Sequence, residues 1–350
     1  MMTRQSIARC VVVSSLWFVV PTACPQAQPG EQQFAEFDVC RLDSGQVIEH
    51  CRIVYRTFGA LNRQRSNAVL FPTWYNGRTE YLMGFVGADR LVDRTRYFVV
   101  LIGALGDGVS SSPSNSSTQH GTAFPAITIR DMVNAEHRLA TEVLRLSHVH
   151  AVMGISMGGM QTFEWAVDYP EFMDKLVPVV GTPQQTSYDL LNWDVLAKAI
   201  DSDPAYQHGR YTEEPPLELA NEIGTLTLPT PSFWVRHVTR EQFPTWLRDI
   251  EQPLKLDAND RLWQLRAMMA HDVTHGSGDL GSAAGRTKAP FFIVISAHDQ
   301  LVNPAPALEW ARFVHAGTYV SQNDCGHRML LDECDGPAVF VAVRKFLDSK

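Results

Sequence analysis

The 350-residue chain lacks several features on which broad classes of protein depend. Only 19% of its residues are charged, and the formal net charge of −8 comes without long runs of one sign, which argues against nucleic-acid binding. No segment after residue 30 is long and apolar enough for a transmembrane helix, no C-x-x-C spacing occurs and no internal repeat is found. What remains, with 45% hydrophobic residues, is the composition of an ordinary globular protein.

The first residues have the pattern of a targeting segment. Arg4 and Arg9 form a basic region, and residues 10–20 form an apolar region that is too short to span a bilayer. We therefore predict a signal peptide over residues 1–27 and a secreted or periplasmic protein. Cys24 leaves lipid anchoring open as one alternative, and a cytoplasmic location is another.

Four cysteines remain once that segment is removed, an even number that suits an oxidising compartment. Cys40 and Cys51 flank Asp43-Ser44-Gly45, a turn signal between two predicted strands of a hairpin. Cys325 and Cys334 form the second pair, near the C-terminus. The sequence therefore predicts two disulfides with this pairing.

The best candidate for a metal site is weak. His271 and His275 have the i, i+4 spacing of two ligands on one helix face, but the adjacent glutamate of a zinc-protease motif is missing. We interpret both histidines as residues of a surface helix. No metal and no cofactor are predicted.

The most informative stretch is Gly154-Ile155-Ser156-Met157-Gly158. It lies between an apolar run at 150–153 and a run of helical pattern at 160–169, as expected for a serine on a sharp strand-to-helix turn. Glycines two residues to either side are needed because a side chain there would clash with the turn. The Ser156 hydroxyl is then exposed as a nucleophile, and the Met157 N–H points to where an oxyanion would form.

A hydroxyl nucleophile needs a base, and the base needs a carboxylate that orients it. Residues 290–296 have the pattern of a fully buried strand, and Asp299 follows at its carboxyl end. His327 follows a shorter predicted strand at 318–321. With Ser156, these residues occur in the order nucleophile, acid, base, each after a strand.

Two other residues compete for the acid and base roles. Asp324 is a second carboxylate close to His327, and His298 is a second imidazole close to Asp299. Each points away from the predicted sheet edge or lies too near another candidate. We therefore assign the catalytic triad to Ser156, Asp299 and His327.

From about Phe37 to the C-terminus, the chain resembles the homoserine O-acetyltransferase branch of the α/β-hydrolases. The stretches that carry the resemblance are Tyr97-Phe98-Val99-Val100 with Leu105-Gly106, residues 124–133, Ser156-Met157-Gly158-Gly159-Met160-Gln161 with Glu164-Trp165-Ala166, Ile223-Gly224 with Leu226-Thr227, Asp257-Ala258-Asn259, and Gly326-His327. The resemblance implies an α/β-hydrolase fold, with a mostly parallel eight-stranded sheet flanked by helices. It also implies a serine acyl-transfer enzyme that forms a covalent acyl-enzyme, with the same three triad residues.

The resemblance also indicates residues around the nucleophile. In the loop at 71–77, the N–H of Tyr75 corresponds to the second oxyanion donor, and Trp74 beside it is a candidate substrate contact. Family members hold the homoserine amino acid with an arginine, a tyrosine and an acidic residue. Asn221, Leu228 and Arg328 occupy those positions here. Because these replacements remove charge-assisted contacts, the chain keeps the acyl chemistry but not the homoserine ligands.

The sequence divides into a core and an insertion. We predict an α/β core over residues 34–182 and 286–350, in which Thr128 caps a helix that runs to Leu146. Residues 183–285 break the alternation of strand and helix, and we interpret them as an inserted helical lid over the serine. This insertion carries four tryptophans, most of which we expect to pack between lid and core: Trp193, Trp234, Trp246 and Trp263.

Three classes of function fit these residues. The first is an exported hydrolase of esters or amides. The second is an O-acyltransferase of the homoserine O-acetyltransferase type, which passes an acyl group from acyl-CoA to a hydroxyl acceptor. The third is a binding protein on a hydrolase scaffold, which the intact triad disfavours. We expect the first, acting on a small-molecule ester or acyl donor, and a homodimer is compatible with these features.

Overall fold

The computed structural model describes residues 29–252, 254 and 256–349. The signal peptide predicted at 1–27 lies outside this part of the chain. Eight strands form one sheet in the order β1-β2-β4-β3-β5-β6-β7-β8. The strands are β1 (Gln33–Arg41), β2 (Val47–Phe58), β3 (Ala68–Pro72), β4 (Phe98–Ile102), β5 (Val149–Ile155), β6 (Met173–Val179), β7 (Phe292–Ser296) and β8 (Gly317–Ser321).

The pairing of the strands gives a mostly parallel sheet. β1 and β2 form an antiparallel hairpin, and β2 pairs antiparallel with β4. All other neighbours, from β4 to β8, pair in parallel. Strands such as β3 are buried along their whole length because helices cover both faces of the sheet. The predicted α/β-hydrolase sheet is confirmed.

Helices occupy both faces of the sheet and the long connection between β6 and β7. The helices are α1 (Thr79–Leu82), α2 (Ile129–Arg138), α3 (Met157–Asp168), α4 (Ser187–Asp201), α5 (Glu218–Leu226), α6 (Pro231–His237), α7 (Phe243–Ile250), α8 (Ala258–Met269), α9 (Leu280–Ala284), α10 (Ala305–Phe313) and α11 (Gly336–Asp348). One apolar layer joins the sheet to α2, α3 and α10, and a second joins the opposite face to α11.

The start of α2 follows the sequence prediction, but its end does not. Thr128 Oγ1 accepts a hydrogen bond from Asp131 N–H, and the Asp131 carboxylate accepts from Thr128 N–H in return. The α-helix then changes to a π-turn over Leu139–Val143. Arg145 takes a positive φ of 57°, which ends the helical path before the predicted Leu146.

Helices α4 to α9 form the connection between β6 and β7, which we call the helical insert. Within it Trp193 is fully buried, and Trp263 donates from Nε1 to the carbonyl groups of Phe124 and Pro125 in the core. No helix in the described ranges has the length and hydropathy needed to cross a membrane.

The prediction that His271 and His275 belong to a surface helix is wrong. α8 ends at Met269, and the chain turns back toward α3, with His275 at a positive φ of 51°. His271 is only 4% exposed, and its Nε2 lies 3.1 Å from the carbonyl oxygen of Thr182. The i, i+4 spacing was therefore coincidental, because the two residues lie beyond the helix end.

Both predicted disulfides are present in the structure. Cys40 on β1 is bonded to Cys51 on β2, with their Cα atoms 5.6 Å apart. Cys325 is bonded to Cys334, with their Cα atoms 6.3 Å apart. The second bond closes a short loop that contains His327.

Candidate active site

Ser156 lies on the sharp turn between β5 and α3, with φ of 58° and ψ of −119°. This positive φ is a strained conformation for a residue with a side chain. The close packing of the turn explains the flanking glycines. A Cβ atom on Gly154 would overlap the Gly158 carbonyl, and one on Gly158 would lie 2.7 Å from the carbonyl oxygen of Pro72.

The predicted triad residues are brought into direct contact. His327 Nε2 lies 2.9 Å from Ser156 Oγ, and His327 Nδ1 lies 2.7 Å from Asp299 Oδ2. A carboxylate can only accept, so we place the proton of the neutral imidazole on Nδ1. Nε2 is then the acceptor for the serine hydroxyl. Asp299 Oδ1 accepts hydrogen bonds from the N–H groups of Leu301 and Val302, each over 2.9 Å. The carboxylate is therefore held in one orientation at the end of β7.

The helical insert holds the loop that carries His327. The N–H of His327 donates to the Leu228 carbonyl over 2.8 Å, and Thr230 Oγ1 donates to the Asp324 carbonyl over 2.7 Å. The Asp324 side chain pairs with Arg236 on α6. Together with the Cys325–Cys334 bond, these contacts fix the histidine from two sides.

The two competing residues lie away from the triad contacts. Asp324 uses its carboxylate on Arg236, where Nη2 donates to Oδ1 over 2.7 Å. His298 is exposed, although it neighbours Asp299 in sequence. Neither side chain contacts Ser156 or His327 by hydrogen bonding within the described ranges.

The predicted oxyanion donors flank the serine. Met157 is the first residue of α3, so its N–H is one of the helix N-terminal donors without an intrahelical acceptor. Tyr75 lies in the loop after β3. Its neighbour Asn76 donates its N–H to Gln264 Oε1 over 2.9 Å, and Gln161 Nε2 donates to the Thr73 carbonyl over 3.0 Å. These bonds fix the loop from α8 and α3, and the Tyr75 N–H has no acceptor among the residues that the structure describes.

A cavity of about 580 Å³ contains Ser156 and His327 in its wall. The remaining residues predicted to contact substrate also line it: Trp74, Tyr75, Asn221, Leu228 and Arg328. Most of the other lining residues are apolar, from both the core and the insert: Phe85, Ile155, Leu196, Ile250, Leu254, Leu265, Met268, Leu301, Val302, Leu330 and Leu331. A cavity of this size and character suits a small, largely apolar ligand.

Several residues near the site were missed by sequence reasoning. Trp193 from α4 and Arg261 from α8 line the cavity, and Gln264 from α8 holds residues 71–77, the predicted oxyanion loop. The available signal was the periodicity of α8, where Arg261, Leu265 and Met268 recur at i, i+4 and i+7. That periodicity defines a face, but it does not say which cavity the face lines.

One cluster of potential metal ligands occurs in the described part of the chain. Glu164, Asp168 and His275 place three ligand atoms within 4.8 Å of one another. These groups are already paired: His275 Nε2 lies 2.6 Å from Glu164 Oε1, and Arg130 Nε donates to Asp168 Oδ2 over 2.8 Å. The hydrogen bond to Glu164 raises the pKa of His275, whereas burial lowers the pKa of His271 to about 4. We therefore interpret the cluster as an ion-pair network between α3 and the insert.

The parallel sheet, the nucleophile turn after β5 and the histidine after the last strand define the α/β-hydrolase class. A family model for the alpha/beta hydrolase fold matches residues 71–333, well over half of the chain. The chain belongs to that family.

Comparison with characterised proteins narrows the chemistry. The chain is 33% identical over 273 residues to an ethyl acetate hydrolase of Pseudomonas veronii, covering 74% of this chain and 78% of that protein. It is 32% identical over 316 residues to a homoserine O-acetyltransferase of Citrifermentans bemidjiense, covering 79% of this chain and 86% of that protein. The solved structure of an acetylester hydrolase from Corynebacterium glutamicum superposes with a TM-score of 0.84 at 26% identity, covering 91% and 96% of the two chains. The protein is an enzyme, a hydrolase or acyltransferase of this superfamily.

Proposed function

We propose that this protein is an exported serine ester hydrolase that works through a covalent acyl-enzyme on Ser156. The observation that carries the proposal is the continuous series of hydrogen bonds from Ser156 through His327 to Asp299, with distances of 2.9 and 2.7 Å. The series lies against a mainly apolar cavity that can accept a small ester.

The proposed reaction follows from these contacts. His327 Nε2 takes the proton as Ser156 Oγ attacks the ester carbonyl, and Asp299 stabilises the imidazolium that forms. The N–H groups of Met157 and Tyr75 bind the developing oxyanion, where a single such donor is worth about 10²–10³-fold in kcat. His327 then returns the proton to the leaving alcohol. In the second half, His327 takes a proton from the water that attacks the acyl carbon, the bond from this carbon to Ser156 Oγ breaks, the carboxylic acid leaves, and His327 returns the proton to Oγ.

Hydrolysis is favoured over transfer to an amino-acid alcohol by three positions in the cavity wall. Asn221 and Arg328 stand where the homoserine O-acetyltransferases are expected to carry an arginine and an acidic residue, and Leu228 replaces a tyrosine. The names of two similar proteins, an ethyl acetate hydrolase and an acetylester hydrolase, support the same choice. The alternative, an acyl-CoA-dependent O-acyltransferase, is supported by the similarity to a homoserine O-acetyltransferase.

Export and domain organisation belong to the same proposal. The basic and apolar pattern of residues 1–27 and the two disulfides support a secreted or periplasmic protein. Residues 183–285 contribute both cavity wall and contacts to the His327 loop, which supports their assignment as a lid on a core of residues 34–182 and 286–350. N-terminal sequencing of protein recovered from the periplasm or medium tests the first point.

The decisive experiment measures who receives the acyl group. Purified protein is assayed with phenyl acetate in water, and with acetyl-CoA plus homoserine, in parallel with a Ser156→Ala variant. We expect turnover of phenyl acetate that is lost in the variant, and labelling of Ser156 by a fluorophosphonate. Faster acetylation of homoserine than hydrolysis of simple esters would establish the transferase instead. No turnover and no labelling would leave only a binding role.

A further inference from the structure

Arg261 introduces a positive charge into the wall of the substrate cavity. The residue is only 4% exposed, and it lines the same cavity as Ser156 and His327. Leu265 and Met268, one and two turns further along α8, line the cavity as well. One face of this helix therefore presents a guanidinium beside two apolar side chains to any bound ligand.

Among the described residues, no carboxylate forms a direct ion pair with this guanidinium, although Glu214 lies near enough to feel its charge. Arg261 Nε is buried without a hydrogen bond, and no carboxylate oxygen lies within 4.0 Å of its nitrogens among those residues. Two neighbouring acids are engaged at the N-terminus of α8 instead. Glu214 Oε2 accepts from Ala258 N–H over 3.2 Å, and Asp257 Oδ1 accepts from Asp260 N–H over 3.0 Å.

The other charged residues of the cavity wall differ from Arg261 in their solvation. Asp249 and Arg328 also line the cavity, but both are exposed, so water solvates their charges. A buried cation without an ion-pair partner costs free energy, because its charge has lost water and no opposite charge compensates for it. A planar guanidinium is also the side chain best suited to bind a carboxylate through two parallel hydrogen bonds.

We infer that the cavity takes esters that carry a carboxylate on one of their two arms, and that Arg261 binds this carboxylate. This inference rests on the proposed ester hydrolysis. Two kinds of substrate share the chemistry: O-acyl hydroxy acids, with the carboxylate on the alcohol arm, and monoesters of dicarboxylic acids, with the carboxylate on the acyl arm. An ammonium group is not required, which distinguishes both kinds from an amino-acid alcohol.

The test compares matched anionic and neutral esters. For the alcohol arm the pair is 4-acetoxybutanoate and butyl acetate, and for the acyl arm it is monoethyl glutarate and ethyl butyrate. We expect kcat/KM for the anionic member of one pair to fall about 10–100-fold in Arg261→Met, mainly through KM. Both neutral esters should change less than about twofold. The pair that responds identifies the arm.

Two further variants separate a specific contact from general effects. Arg261→Lys keeps the charge but loses the planar fork, so an intermediate loss is expected. Arg266→Gln removes an exposed charge from the same helix and should leave both esters of each pair unchanged. Equal loss on anionic and neutral esters in Arg261→Met, or no loss on either anionic ester, would overturn the inference.

A binding measurement keeps this inference separate from the proposed reaction. Titration calorimetry of Ser156→Ala with 4-acetoxybutanoate and with monoethyl glutarate should detect binding of one of them, and the double variant with Arg261→Met should abolish it. If wild-type protein hydrolyses no ester, the proposed function fails, and the calorimetry still decides whether Arg261 binds a carboxylate. Binding that is unchanged in the double variant contradicts the carboxylate site whatever the activity.

Discussion

The two walls of the cavity, one from the core and one from the helical insert, differ in their polar groups: hydrogen bonds join the triad in the core wall, whereas polar atoms of the insert wall lack partners among the described residues. On the core side, Ser156, His327 and Asp299 are joined by hydrogen bonds of 2.9 and 2.7 Å. On the insert side, Asn221 Oδ1 and Arg261 Nε are buried without a hydrogen-bond partner in the described part of the chain, and on the core side the same is true of Tyr75 Oη. The core is therefore preorganised for one chemistry, whereas the insert leaves open groups that a ligand can satisfy.

The core and the insert also differ in the solvent exposure of their apolar side chains. The core strands behind the nucleophile, such as β3, are buried along their length. The insert exposes large apolar side chains, among them Leu191 at 64%, Leu226 at 65% and Val235 at 80%. Elements with fewer buried contacts open at lower free energy than a core. In the proposed function, the reaction and its selectivity therefore depend on parts of the chain that differ in burial.

The largest expected effect is the loss of kcat when a triad residue in the core wall is replaced. Ser156→Ala, His327→Ala and Asp299→Asn should each lower kcat by about 10³-fold or more, because the three groups act as a unit. The double variant Ser156→Ala/His327→Ala should be little worse than either single variant. Steady-state kinetics with phenyl acetate measures this, and full activity in Asp299→Asn would contradict the assigned acid.

The second prediction compares the two disulfides. Each closes a short loop, of sequence separation 11 for Cys40–Cys51 and 9 for Cys325–Cys334. Replacing either pair by serine should lower the free energy of unfolding by about 2–3 kcal/mol. Only loss of the second pair should also lower kcat, since that bond closes the His327 loop. Denaturant unfolding and kinetics on both double variants measure the two effects, and equal loss of kcat in both would remove the distinction.

The third prediction concerns the hydrogen bond between Gln264 on the insert side and Asn76 on the core side. Gln264 on α8 accepts the Asn76 N–H and donates to the Leu105 carbonyl, so it positions the oxyanion loop. Gln264→Leu should lower kcat about tenfold with little change in KM, because the Tyr75 N–H loses its alignment. Gln264→Glu keeps the acceptor and should recover part of the loss.

A transition-state analogue provides the check on this positioning role. A boronate inhibitor should bind Gln264→Leu more weakly, in proportion to the loss of kcat, while the affinity for the product alcohol stays the same. Equal weakening of both ligands would indicate general damage to the site.

The smallest expected effect concerns pH and the core alone. Glu136 on α2 is 1% exposed and accepts a hydrogen bond from Trp165 Nε1 over 2.8 Å, and burial raises the pKa of its carboxyl from 4.5 to about 8. The folded state therefore holds this proton more tightly than the unfolded chain. The stabilising contribution is complete below about pH 4.5 and is lost as the pH rises through 8.

Glu136→Gln removes this dependence. The variant should melt a few degrees higher than wild type at pH 9, and the difference should shrink toward pH 5. Thermal unfolding across this range measures it, with Glu309→Gln, an exposed glutamate on α10, as the matched control. A difference in melting temperature that grows as the pH falls would contradict the raised pKa of Glu136.

Local patterns in the sequence determined the parts of this protein whose geometry is set by near neighbours. The glycines at 154 and 158 indicated the nucleophile turn, because this turn has no room for a side chain at either position. The turn at Asp43-Ser44-Gly45 joins the two paired strands that carry Cys40 and Cys51, and these cysteines are bonded. The order Ser156, Asp299, His327, each after a predicted strand, indicated the triad, since parallel strands bring their carboxyl ends to one edge.

Only the tertiary structure decided what surrounds those residues. Asn76 and Gln264 meet across 188 residues of sequence, and no local pattern reports that hydrogen bond. Arg261 falls on an ordinary helix face, and it became a cavity residue because α8 packs with that face toward Ser156. His271 and His275 show the converse, since a helical spacing was present where the helix had already ended. The physical reason is common to all three cases: the energy of a side chain depends on neighbours that only the packing of distant segments supplies.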